Sequence, residues 1–73
     1  SVSVEDEIKV RKERDEVKRA AEANLIMYVT QIYESEECEA DARLYMQQSG
    51  MDEADIERLL VDIRRIWRQN AAR

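Results

Sequence analysis

Apolar residues along this chain recur at helical spacing. From Val4 to Tyr33 no glycine or proline interrupts, and Val10, Val17, Ala21, Leu25, Tyr28 and Ile32 follow one another at intervals of three, four or seven. Such intervals line side chains along one stripe of a helix, and a stripe of this kind is expected to be buried. At about 100° per residue, Leu25, Tyr28, Val29 and Ile32 share a face that Ile26 and Tyr33 widen to roughly 160°, room for two neighbours. The upstream half reads differently. Arg11 to Glu16 is an unbroken charged run, and only Ile8 and Val10 offer apolar surface before Val17. The spacings Glu5 to Lys9, Glu7 to Arg11 and Asp15 to Arg19 predict ion pairs one turn apart, each worth about 0.2–0.5 kcal/mol. That half is expected to be a solvated helix rather than a core element.

Capping residues divide the chain. Ser3 can accept from an amide three residues on, and Glu5, Asp6 and Glu7 follow where the positive end of the helix dipole favours carboxylates, so the first helix is expected to begin at Val4. Ser35 followed by Glu36, Glu37 and Glu39 repeats the signature and predicts a break near residues 34–36. A second helix then runs to Gln48, burying Cys38, Ala42, Tyr45 and Met46 and turning Leu44 away. Gly50, the only glycine, closes it. Asp52 caps a third helix with Glu53 and Asp55 in its first turn and Met51 able to pack on Ile56. There Ile56, Leu59, Leu60, Ile63, Ile66 and Trp67 form a stripe about 120° wide, and Arg64, Arg65 and Arg68 lie late, where cations suit the dipole.

The expected fold is therefore all-α, a three-helix bundle spanning residues 4–34, 36–48 and 52–70 within a single helical domain. The alternative is a two-helix hairpin, 4–48 and 52–70, that dimerises, because the seven-residue spacing of Tyr28, Ser35, Ala42 and Ser49 also suits an unbroken rod of about 67 Å. On the bundle reading the first helix spans roughly 45 Å and the other two roughly 20 and 28 Å. Short turns then let them cover only the part from about Ala20 onward. Residues 4–19 either protrude or are covered by another chain, since an uncovered helix this short is marginal in water.

Composition narrows the function classes. In 73 residues, 40% are charged and there is no proline, phenylalanine or histidine, a mixture that favours helix and, at this length, makes self-association or a partner an expectation. Seventeen acids against 12 bases give a net charge of -5, which repels a phosphate backbone, so nucleic acid is not expected. Cys38 stands alone, with no disulfide to form and no histidine to activate it, and is read as a small core residue. Without histidine the chain lacks the usual general base and the commonest transition-metal ligand, and no calcium-loop, phosphate-loop or nucleophile-elbow pattern occurs. No enzyme activity, cofactor or metal is expected. No apolar run is long enough to span a membrane or to act as a targeting signal, so a cytoplasmic or recombinant soluble protein is expected.

What remains is surface. Tyr28, Tyr33, Tyr45 and Trp67 are expected on or beside the core stripes. Leu60, Ile63 and Ile66 have the anchor spacing of a groove-binding helix such as the apoptotic BH3 helices, but the small residue and aspartate those helices place after an anchor are absent: Trp67 and Arg68 follow Ile66, and Arg64 and Arg65 follow Ile63. Met27, Leu44 and Val61 miss their helices' stripes and would mark a partner or dimer surface if they converged. With Ile8, Val10 and Trp67 they form the candidate interaction surface. The expected function is a protein-binding module acting by burial of amphipathic helix surface, and the alternative is a self-assembling homodimer with no external ligand. In style the whole chain resembles computationally designed helical proteins: Glu, Lys, Arg and Ala carry the helix surfaces, caps stand where a design rule puts them, and no natural signature motif appears. The resemblance implies a designed binder. Cys38, the scattered Met27, Met46 and Met51, and the lack of repeated leucine layers depart from that style, and a natural fragment stays open.

Overall fold

The computed structural model describes residues 3–73 and is all-helical: α1 (Val4–Ile32), a single 3-10 turn (Glu36–Cys38), α2 (Glu39–Gln48) and α3 (Glu53–Ala71). The fold is a helical bundle with one long N-terminal helix. The hairpin alternative fails because α1 stops at Ile32 and Tyr33 turns into extended backbone (φ -104°, ψ 95°). Glu36–Cys38, expected as the first turn of the second helix, form the 3-10 turn instead, and Cys38, expected in the core, is only half buried.

Local chemistry accounts for the ends. The Asp6 amide donates to the Ser3 hydroxyl at 3.1 Å, and the Asp55 amide donates to the Asp52 carboxylate at 2.9 Å, each filling one of the orphan donors of a first turn. Ser35, with the same sequence signature, makes no capping bond through its side chain. At the end of α2 the Met51 amide donates to the Met46 carbonyl (3.2 Å) and the Gly50 amide to that of Gln47 (3.1 Å), the paired closure that needs a left-handed residue between them. Gly50 supplies it at φ 87°. Met51, thrown back by this turn, packs against the core that holds Met46 and Ile56.

The core comprises Val29 from α1, Ala42 and Met46 from α2, and Ile56, Leu59, Leu60, Ile63 and Trp67 from α3, with Leu25, Ile26, Tyr33, Tyr45 and Met51 packed around it. α3 supplies five of these eight residues, so it is the element the others cover. Only part of the expected α1 face is buried. Val29, Leu25, Ile26 and Tyr33 face the bundle, while Val10, Val17, Ala21, Tyr28 and Ile32 remain exposed. The physical reason is angular: α2 and α3 settle on a face centred near Val29, and the other stripe lies about 100° away around the helix. Tyr28 and Tyr33 still meet Tyr45, with ring centroids 5.5 and 6.2 Å apart, forming an aromatic edge to the core.

Ion pairs strap the elements together. Arg58 of α3 grips Glu22 of α1 with two nitrogens, at 2.9 and 2.5 Å, and Arg64 does the same to Glu39 at 2.5 and 2.9 Å. Arg43 of α2 reaches both Glu53 and Glu57, and Arg68 reaches Glu36 at 3.1 Å. Arg64 and Arg68 of α3 thus bind acids that the sequence marks only as first-turn charges, while Arg65 pairs with Asp62 of its own helix. The i,i+4 pairs expected along α1 do not form among the described residues. In water such a pair gains little Coulomb energy and costs side-chain freedom.

Candidate interaction surface

α1 is longer than its cover. Its 29 residues extend about 44 Å, whereas the 19 of α3 extend about 28 Å. Every residue from Ser3 to Ala21 is exposed. The most upstream ion pair or hydrogen bond from α1 to another element among the described residues is Lys18 with Asp55, at 3.6 Å. The molecule is accordingly 52 Å long, with a radius of gyration of 15.5 Å against about 11 Å for a compact chain of this size.

The bundle is tied off where the projection begins. Arg58 donates to Glu22 and holds its carboxyl below the ordinary glutamate range, and Arg58 likewise lowers Asp55, which also meets Lys18. The same two carboxylates hold the Arg58 guanidinium above its ordinary value, and Glu39 does so for Arg64. Glu22, Asp55 and Arg58 fasten α1 to α3, and Glu39 with Arg64 fastens α2 to α3. Among the described residues no buried side-chain nitrogen or oxygen lacks a partner, and no group of three or more metal-ligating side chains gathers. No helix among them is long and apolar enough to cross a membrane.

The candidate residues separate into three sets. Ile8 and Val10 lie on the projecting half, about half exposed. Met27, Leu44 and Val61 are exposed but do not meet: each stands roughly 160° around its own helix from the core residues two positions away (Val29; Ala42 and Met46; Leu59 and Ile63), so the three point outward from three different helices. Trp67, a candidate anchor, is only 2% exposed and belongs to the core. Its indole N–H donates to the Tyr33 carbonyl at 2.6 Å, one of the acceptors left open where α1 ends. The tryptophan is fixed by the break in α1, which a stripe on α3 alone could not reveal.

The residue missing from the candidate set is Val17. It is 71% exposed and lies with Val10 along one line of the projection, where Glu13 and Arg14 complete a shallow apolar hollow. The seven-residue spacing of Val10 and Val17 is visible in the sequence, but it reads as core until the length of the cover is known. Comparison with protein families, curated proteins and solved structures finds no match to this chain.

Proposed function

We propose that this chain is a protein-interaction module that works by burying the projecting half of α1 against a helix of another chain. The observation that carries this reading is the exposure of every residue from Ser3 to Ala21 on a helix that still carries Val10 and Val17 in line. An isolated helix of under about 15 residues is marginal in water, so a cover would gain both the apolar stripe and the helix itself. The bundle supplies the anchor: α3 and α2 hold the downstream half of α1 rigid and aim the projection. With both signs of charge densely placed around the stripe, orientation and partner choice rest on charge matching, while apolar contact supplies affinity.

A photo-crosslinking residue placed at position 17, and in a second preparation at position 61, tests this. Crosslinks to protein at position 17 and none at 61 are expected. Equal crosslinking at both positions, or none at 17 with any protein including the chain itself, overturns the reading.

A further inference from the structure

Building on that interaction reading, we propose that the occupant of the α1 stripe is a second copy of this chain, lying parallel and in register as a short two-stranded coil. Glu7, Arg14 and Ala21 alternate with Val10, Val17 and Asn24 at intervals of three and four, the heptad seam of a coiled coil, and all six are exposed. Two hollows lie along this seam. One is walled by Val10, Glu13, Arg14 and Val17 with Lys18 beside it, the other by Glu7, Val10, Arg11 and Arg14. Each set of four is spaced i, i+3, i+4, i+7, the hole into which a facing side chain inserts.

Charge selects the occupant and its direction. Asp6 and Glu13 flank the seam on one side, Arg11 and Lys18 on the other. In a parallel pair each residue of the first flank meets the residue five further on in the second copy, so Asp6 faces Arg11 and Glu13 faces Lys18, and symmetry repeats both contacts. An antiparallel pair sets each flank against its own kind and brings Arg11 against Lys18. Residues 4–21 carry six acids and six bases, whereas residues 22–73 carry eleven and six. The net charge therefore belongs to the bundle, and the neutral projection matches a neutral helix of mixed sign such as itself. Glu7 and Arg14 each meet their own copy across the seam, and the like-charged bundles lie at the same end. Both weaken the pair and make it concentration-dependent rather than obligate.

Sedimentation equilibrium over a concentration series, applied to the unaltered chain, E13K, K18E and an equimolar mixture of the two variants, tests the inference. Each variant alone places like charges at both symmetry-related contacts and is expected to self-associate about tenfold more weakly. The mixture restores opposite charges and is expected to recover the affinity of the unaltered chain. Positions 13 and 18 lie about 140° apart around one helix, so recovery cannot arise within a chain. Lys18 also meets Asp55 at 3.6 Å, so helix content of K18E is checked by circular dichroism. An unaltered chain that stays monomeric overturns the second-copy occupant while leaving crosslinking at position 17 to other proteins as the test of the broader reading. A dimer indifferent to E13K and K18E, or a mixture that fails to recover, overturns the parallel register.

Discussion

The two halves of α1 are one continuous helix with opposite fates. Downstream of Glu22 the helix carries Leu25, Ile26, Val29 and Tyr33 into a core and is strapped by Arg58. Upstream it carries Val4, Ile8, Val10 and Val17 into water. Both halves contain apolar residues at helical spacing, so amphipathic pattern does not distinguish them. What distinguishes them is whether α2 and α3 are long enough to lie alongside. A helix is buried by its neighbours' reach, and its own apolar stripe is only a precondition.

Trp67→Ala carries the largest expected effect on the comparison. It empties the centre of the covered end and leaves the Tyr33 carbonyl without its donor, and should cost about 3–5 kcal/mol in urea unfolding. A loss under about 1 kcal/mol would mean that the covered half is not held by this core.

The sharpest test uses one residue type on both halves. Val29 is 0% exposed and Val17 is 71% exposed. Val29→Ala should therefore cost about 2 kcal/mol, and Val17→Ala should stay within about 0.5 kcal/mol, in thermal melts at concentrations where the chain is monomeric. Equal losses at the two positions would show that the upstream half is covered even in the monomer.

The smallest effect lies at the boundary between the halves and depends on pH. Glu22 and Glu39 are held below the ordinary glutamate value of 4.5, and Asp55 below 3.8, because the folded chain sets arginines against their charged forms. The unfolded chain binds these protons more readily, so the stabilisation is fully present above about pH 5 and is lost as pH falls through the lowered values. Amide protection near Glu22, taken relative to the intrinsic base-catalysed exchange rate, should fall below the ordinary carboxylate range and remain flat from pH 5 to 7, with high salt weakening the dependence. A change in that protection between pH 6 and 7 would contradict this assignment.

Much of the fold was legible in local chemistry. Ser3, Gly50 and Asp52 act within one turn of themselves, so their effects on the ends of the helices follow from residue type alone. The α3 stripe was equally plain, since five of its six expected residues are buried and Ile66 is half buried. Less was legible of the surface. Met27, Leu44 and Val61 can be recognised singly as outward residues, but their failure to converge depends on how three helices are arranged. Val17 passed for core because its seven-residue spacing from Val10 is shared by core stripes and by seams awaiting a second helix. Glu36 and Glu39 are first-turn acids as expected, but their ion pairing was hidden because their partners, Arg68 and Arg64, lie on α3, 32 and 25 residues away.

The sequence by itself determined that the chain is helical, where two of its three helices begin and how the second ends, because caps, glycine and periodicity act over a few residues. The helix lengths also placed residues 4–19 beyond the cover, whereas tertiary structure alone decided which part of the α1 stripe is buried and that Trp67 seals the end of α1. Those outcomes depend on the relative lengths and directions of three elements at once, and no single segment encodes the reach of another.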